Sequence, residues 1–289
     1  MHGIVYDASH DEVVVPVALA AAVLVFRGGA NGAEAPVRVI QGPRTRMIRP
    51  QTIAVDEQNG EIIVGDPSTR SVSVFSRDAQ GDVAPRRVIH GPKTGLLNVV
   101  GVGVDPVHNL LVATSVSRIG GKTGIFIFPR NADGNVAPRA VISGPKTGVL
   151  HPWQVAMDPE RGKIFVAVIN IDYLPPYELD KVREGLKPDV QIPSPWGTER
   201  LGFIGVWDVQ DDGDVPPRAV IKGPASGLIH PAGVAFSIRH REVFASDSVK
   251  NGVFTFLVPE FFETSATESA HARKRNIRPG RQASANSAR

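Results

Sequence analysis

Short apolar runs separated by turn residues fill most of this chain. The runs are rich in Val and Ile and are bounded by Gly, Pro, Asn or Asp, as in Gly101 to Asp105 (GVGVD) and Gly124 to Arg130 (GIFIFPR). Runs of this length and composition predict β-strands. Most are continuous rather than alternating with polar residues, which indicates that both faces of each strand are buried.

The same pattern repeats along the chain. Four segments align without gaps: APVRVIQGP (Ala35 to Pro43), APRRVIHGP (Ala84 to Pro92), APRAVISGP (Ala137 to Pro145) and PPRAVIKGP (Pro216 to Pro224). Their glycines are 49, 53 and 79 residues apart. A period near 50 residues, with one long insertion, is typical of a β-propeller blade.

Five copies of the first strand of such a blade follow from the alignment: Gly3 to Asp7, Thr52 to Asp56, Gly101 to Asp105, Gln154 to Asp158 and Gly233 to Ser237. The apolar stretch from Val13 to Phe26 is then the second and third strands of blade one (Glu12 to Val17 and Ala22 to Phe26), and no transmembrane segment is expected. The predicted fold class is all-β, a β-propeller of five four-stranded repeats with five or six blades. The propeller spans residues 1–262, with an insertion of about 30 residues in blade four (170–202).

Composition excludes some chemistry. Cysteine is absent, so disulfides, thiolate metal sites and a cysteine nucleophile are excluded. The net charge of +3 belongs to the tail, since Phe261 to Arg289 carries six basic and two acidic residues. Residues 263–289 are therefore predicted to be a basic, disordered tail. Nucleic acid or an anionic surface is only a weakly supported partner for this tail.

Two segments carry a family resemblance. HPWQVAMDPERGKIFVAV (His151 to Val168) and HPAGVAFSIRHREVFASD (His230 to Asp247) resemble the NHL repeat, and more loosely the gluconolactonase-like six-bladed propellers. The resemblance covers about Gly3 to Pro259. It implies a propeller fold, and such propellers bind proteins, RNA or sugars, while some are hydrolases or lyases.

Members of these families often have six blades, whereas this chain shows five. Three explanations stay open at this point. Residues Phe261 to Ala266 supply a closing strand, the five blades close loosely, or the chain begins downstream of a missing blade. The compartment depends on the same point: the lack of a signal peptide favours the cytoplasm, and an incomplete N-terminus would favour a periplasmic or extracellular protein.

A set of equivalent polar residues precedes the first strand in four blades: Arg49, Asn98, His151 and His230. In a propeller these positions share one face with the loops between the second and third strands. Two imidazoles, an amide and a guanidinium there suit an anion or a polarised carbonyl. The competing interpretation is that the His-Pro pair has a structural role in the repeat, with His capping a neighbouring backbone group. No metal site and no cofactor are expected, because Arg49 repels a cation and a zinc site needs more ligands than two His.

The blade-four insertion is the second candidate site. It holds Tyr173, Tyr177 and Trp196 among five prolines, and aromatic side chains held by proline offer rigid contact area. With Trp153, these residues are the expected anchors for a protein partner on the insertion-bearing face. The alternative is a lid or spacer without a ligand.

The remaining polar motifs favour structural roles. Asp7, Asp56, Asp105 and Asp158 end the first strands and are expected to cap turns. The GPKTG loops with Lys93 and Lys146, and Arg44 at the equivalent position, lack the spacing of a P-loop. The entry ends of the first strands carry no acid, which departs from the metal site of gluconolactonase-like propellers.

The sequence therefore favours a non-enzymatic binding or scaffold propeller that mediates protein–protein interaction, alone or as a subunit of a larger assembly. The alternative function is that of a hydrolase or lyase of the six-bladed type, acting on a small molecule at the channel mouth through His151 and His230.

Overall fold

The structure is a computed structural model that describes residues 3–117, 121–169 and 202–262. It is a five-bladed β-propeller, and the predicted fold is confirmed. Each blade is an antiparallel meander whose strands follow one another in chain order. The first four blades have four strands each, and the described part of blade five has three.

The strands of blades one and two are β1 (Val5–Asp7), β2 (Glu12–Val17), β3 (Ala22–Arg27), β4 (Arg38–Gln41), β5 (Thr52–Asp56), β6 (Glu61–Asp66), β7 (Ser71–Ser76) and β8 (Arg87–Ile89). Those of blades three to five are β9 (Val99–Asp105), β10 (Leu110–Ser115), β11 (Gly124–Pro129), β12 (Ala140–Ile142), β13 (His151–Asp158), β14 (Lys163–Ile169), β15 (Phe203–Asp208), β16 (Ala219–Ile221), β17 (Pro231–Ser237), β18 (Glu242–Asp247) and β19 (Gly252–Leu257). Among these described residues, no helix is long and apolar enough to cross a membrane.

The core lies between blades rather than within them. Four buried hydrophobic clusters join blades one and two, two and three, three and four, and four and five. Phe75, Phe128 and Trp207 occupy the same position on the third strand of successive blades and are fully buried against the preceding blade. Within the described residues, no buried cluster joins blade five to blade one.

Two of these interfaces also carry a buried ionic clamp. Arg87 on the fourth strand of blade two holds both carboxylate oxygens of Glu61 at 2.8 and 2.9 Å. Arg130 of blade three reaches back to Glu61 at 2.8 Å and to Asp56 at 3.6 Å. The arrangement ties the two blades together through one carboxylate.

Blades one and two share the same clamp. Arg38 holds Glu12 through two contacts of 2.7 Å, while Arg77 of blade two donates to Glu12 at 2.5 Å and to Asp7 at 3.2 Å. Between blades three and four, the apolar residues Leu110, Ala140 and Val209 stand in place of the glutamate and both arginines and pack into one cluster. The charged and apolar versions are therefore alternative solutions for one position of the repeat.

The GPKTG segments are structural links between neighbouring blades. Each forms a short 3-10 turn, and the turn after the next blade's third strand caps it: the backbone N–H of Arg44, Lys93 and Lys146 donates to Asp82, Asn135 and Asp214 at 2.7–2.8 Å. Gly42 has φ +133° there, and a Cβ on it would lie 2.5 Å from Asp82. Glycine is therefore required by both backbone conformation and close approach.

The chain end corrects one sequence-based explanation. Phe261 and Phe262 do not extend a strand, because Pro259–Phe261 forms a 3-10 turn that packs both rings beside Phe165 of blade four. Arg161 fixes this turn by donating to the Phe262 carbonyl at 3.1 Å. Residues 263–266, and the whole predicted tail (263–289), lie outside the described residues.

The clamp predicts a pH-dependent stability. Burial opposes ionisation of Glu61, but hydrogen bonds and charge from Arg87 and Arg130 outweigh it and hold its pKa below the ordinary value. A carboxyl with a depressed folded-state pKa stabilises the fold above its unfolded pKa of about 4.3, and this contribution is lost as the pH falls through the folded value. Glu61→Gln should therefore lower the free energy of unfolding by roughly 3 kcal/mol at pH 7.

Urea unfolding at pH 7 and pH 3 measures this effect. The difference between wild type and Glu61→Gln should shrink at pH 3, since the carboxyl of the unfolded wild-type chain, with a pKa of about 4.3, is then protonated and this opposes folding. Glu34→Gln is the control, because the Glu34–Arg27 pair has similar two-contact geometry but lies at the surface and should contribute little. An equal loss at both pH values would contradict the clamp.

Candidate functional site

The candidate site is the face formed by the loops that enter each first strand and the loops between each second and third strand. We call it the entry-loop face. Arg49, Asn98, His151 and His230 all lie on it: Ser248 donates its N–H to the His230 carbonyl, Val116 donates to that of Asn98, and His151 pairs with Ile169. The insertion leaves blade four directly after Ile169, so it begins opposite His151.

Polar residues at the ends of the second strands hold these loops. In blade two, one Asp66 oxygen accepts the backbone N–H groups of Ile48 and Arg49, each at 2.7 Å. Its other oxygen accepts those of Ser68 and Thr69 at 2.8 and 3.2 Å. A single carboxylate thus organises both loops of one blade.

Blades three and five use the same device. One Asp247 oxygen accepts hydrogen bonds from the backbone N–H groups of Ile229 and His230. The other accepts from those of Val249 and Lys250, and the four distances are 2.7–3.1 Å. Ser115 serves only the entry loop, where its hydroxyl accepts from Leu97 and Asn98. The candidate residues Arg49, Asn98 and His230 are therefore placed by their own backbone N–H groups, whatever their side chains do.

Blade four departs from this scheme where the insertion begins. Val168, fully buried, stands at the position of Asp66 and Asp247, and the strands continue one residue further to pair His151 with Ile169. In blades two and five the second carboxylate oxygen caps the turn between the second and third strands. In blade four the buried Val168 extends the sheet at this position instead, and the insertion follows Ile169.

A β-bulge interrupts the first strand of blade four at the same place, as it does in blades three and five. Trp153 and Gln154 together face one residue of the neighbouring strand, because the register shifts between Pro152 and Val155. The Trp153 ring stacks on His151 with 5.4 Å between centroids and an interplanar angle of 24°, and its carbonyl accepts the Thr114 hydroxyl at 2.6 Å. Bulges of this kind are common beside functional sites.

The two histidines differ from the reactive pair that the alternative function requires. His151 is only 8% exposed and is covered on one side by Trp153. Burial lowers the pKa of His230 below the ordinary value, and Asp247 opposes this effect only in part. His230 is therefore neutral at pH 7 and adds no positive charge for an anion.

The remaining predicted residues are placed as follows. The Arg49 side chain is exposed, while Asn98 and Trp153 are half-buried. Tyr173, Tyr177 and Trp196 lie outside the described residues, so the structure does not bring them together with the others.

Sequence reasoning missed a set of aliphatic residues on this face. Each polar candidate is preceded by a large aliphatic side chain: Ile48, Leu97, Leu150 and Ile229. Ile48 is 63% exposed and Leu150 is 40% exposed, and Leu19, on the turn between β2 and β3, is fully exposed. The repeat alignment contains these aliphatic residues, one position before the polar candidates Arg49, Asn98, His151 and His230.

The opposite face is occupied by turn caps, as the sequence predicts. Asp56 accepts the backbone and side-chain N–H groups of Asn59 at 3.0 and 2.8 Å, and Asp105 contacts His108 in the same way, at 2.8 Å in both cases. Asp7 and Asp158 contact His10 and Arg161 three residues on. These carboxylates are thus engaged by their own turns.

The described residues contain no group of three or more His, Asp or Glu side chains arranged to hold a metal ion. A shallow pocket beside Phe26, Arg27 and Glu34 lies on blade one, at the end of the blade away from the entry-loop face. Neither feature adds a reactive group to the entry-loop face. No protein-family model and no curated protein sequence matches this chain.

The loop caps generate a direct prediction. Asp66→Ala should lower the free energy of unfolding by about 2–3 kcal/mol, because four backbone N–H groups lose a charged acceptor. Ser115→Ala should cost less, since it frees only two donors from a neutral acceptor. Urea denaturation of the two variants measures the difference, and a loss for Ser115→Ala as large as that for Asp66→Ala would contradict the role of the carboxylate.

Proposed function

We propose that the protein is a non-enzymatic, NHL-like binding propeller that takes a protein partner on its entry-loop face, as a subunit of a larger assembly. The observation that carries the proposal is the exposure of Ile48 and Leu150, at equivalent positions of blades two and four, together with Leu19 on the same face. Exposed apolar side chains with a polar surround are typical of protein interaction sites.

The surroundings of these side chains fit a protein contact. Ile48 is followed by the exposed Arg49, and Leu150 lies beside the His151–Trp153 stack. Apolar area, arginine and aromatic rings are the components in which protein interfaces are enriched. The loop caps at Asp66 and Asp247 hold the backbone beneath, so a partner meets a preformed surface and less conformational entropy is lost on binding.

The insertion in blade four adds to this surface in the proposal. It leaves the blade at Ile169, and the chain returns at Gly202, whose N–H donates to the Ile229 carbonyl at 3.0 Å. Both ends thus lie beside the entry loops of blades four and five. Tyr173, Tyr177 and Trp196 are proposed as anchors for the partner, together with Trp153.

The alternative of a hydrolase or lyase has less support. It relies on His151, which is buried against a tryptophan, and on His230, which burial keeps neutral. The carboxylate that acts on His230, Asp247, is already engaged by four backbone N–H groups. We therefore propose the binding function alone.

A pull-down from the native source tests the proposal. Intact chain is compared with a chain in which residues 173–199 are replaced by a short Gly-Ser linker, and with Ile48→Ser and Leu150→Ser. We expect a defined protein partner with the intact chain, loss of that partner with the linker variant, and at least tenfold weaker binding for each serine variant.

Val107→Ser is the matched control, because Val107 is 61% exposed on the opposite face and should leave binding unchanged. All variants are first checked for an unchanged thermal midpoint. Capture of no partner by the intact chain, or equal capture by the linker variant and the intact chain, would overturn the proposal.

A further inference from the structure

Blade five lacks a fourth strand in the described residues, and its third strand therefore has an unpaired edge. In the other blades an isoleucine of the fourth strand lies opposite a fully buried residue of the third strand: Val23 with Ile40, Val72 with Ile89, Ile125 with Ile142, and Ile204 with Ile221. Val253 holds this position in blade five and is 73% exposed. An exposed strand edge with an apolar residue of this kind invites pairing.

A second feature of blade five points to the same missing strand. Glu12 and Glu61 begin the second strands of blades one and two, and each is held by an arginine of the fourth strand. Blades three and four have Leu110 and Lys163 at this position, and both have alanine instead of that arginine. Within the first four blades, the acid thus occurs only together with the arginine.

Glu242 is the equivalent residue of blade five, and it is again an acid. It makes no ion pair and no side-chain hydrogen bond with any other described residue. Because acid and arginine occur together in the other blades, we expect an arginine partner for Glu242 on a fourth strand. An isoleucine two residues after that arginine would then cover Val253.

The tail contains such a pair. Residues 272–281 read ARKRNIRPGR, against APRRVIHGPK at 84–93 of blade two. The first, fourth and sixth residues are identical, the third and tenth are basic in both, and a Gly-Pro pair occurs in the opposite order. Arg275 falls on the position of Arg87, and Ile277 on that of Ile89.

The spacing allows this strand to reach its place. The arginine position comes eleven residues after the end of the third strand in blades one to four and eighteen residues after it in blade five. Part of the extra length is taken up by the turn that packs Phe261 and Phe262. The twelve residues from 263 to 274 span up to roughly 40 Å when extended, which exceeds the width of one blade.

We propose that residues 275–277 of the tail form the fourth strand of blade five, antiparallel to β19. Arg275 then pairs with Glu242, and Ile277 lies opposite Val253, in the register of Arg87 and Ile89. The same chain thereby completes its own last blade, and the basic tail is a structural element rather than a nucleic-acid or membrane anchor.

Cysteine cross-linking tests the register, and the chain is free of cysteine. The full chain carrying Val253→Cys and Ile277→Cys is oxidised mildly at low protein concentration. Residues opposite each other in an antiparallel pair have Cα atoms about 5 Å apart, which suits a disulfide. The control pairs Val253→Cys with Asn276→Cys, whose side chain would point to the other face of the strand.

We expect an intramolecular disulfide in the 253/277 variant, seen by mass spectrometry of the monomer, to form at least ten times faster than in the control. Equal rates in both variants would overturn the proposal, because they would show an unstructured tail. A covalent dimer as the main product would also overturn it, since a second copy would then supply the strand.

A charge exchange provides an independent readout. Glu242→Arg and Arg275→Glu should each lower the thermal midpoint by about 2–4 °C, and the two together should restore most of the loss. Combining Glu242→Arg with Arg278→Glu is the control and should restore none. An exchanged pair no more stable than either single variant would contradict the Glu242–Arg275 contact.

Discussion

The structure depends on the packing of each blade against the next. A four-stranded sheet of this length has two apolar faces and cannot bury both by itself, so the repeat is stable only when neighbours cover them. The third-strand aromatic residues show the consequence, because Phe75, Phe128 and Trp207 are fully buried whereas Phe26 of blade one is only partly covered. Polar contacts between neighbouring blades then align one blade on another.

Much of the polar chemistry in the sequence is used for this alignment. The clamp around Glu61 joins two blades, Asp82 and its equivalents cap the preceding blade's turn, and Asp66 holds the entry loop. Groups engaged in this way are poor candidates for catalysis, since their protonation and geometry are fixed by the fold. The entry-loop face differs in that it also presents side chains that make no such contact, as the exposed Ile48 and Leu150 show.

The sequence predicts the strands well because each depends on a short local pattern. Thr52–Asp56 and Glu12–Val17 have the predicted bounds, whereas β9, β13 and β17 begin two or three residues earlier than expected. Bulges near their starts allow these strands to continue through glycine or proline, and no local pattern encodes a bulge. Phe261 was considered as the start of a closing strand because only five blades were counted, but Pro259 begins a 3-10 turn there.

The site was harder to predict because its contacts join distant residues. Asp66 meets N–H groups seventeen and eighteen residues earlier in the chain, and Glu12 meets Arg38 twenty-six residues later. The turn-capping aspartates were predictable, since Asp56 contacts Asn59 only three residues away. Ile48 and Leu150 were overlooked because an isolated aliphatic residue in a loop has no meaning until the fold shows that its equivalents share a face.

Hydrogen exchange of the purified chain, with and without its captured partner, tests the central claim most directly. The account predicts slower exchange in the entry loops (47–51, 96–98, 149–154 and 229–232) and in peptides of the insertion when the partner is bound. Protection confined to the turns of the opposite face (8–11, 57–60, 106–109 and 159–162) would contradict it, and would place the binding surface at the other end of the propeller.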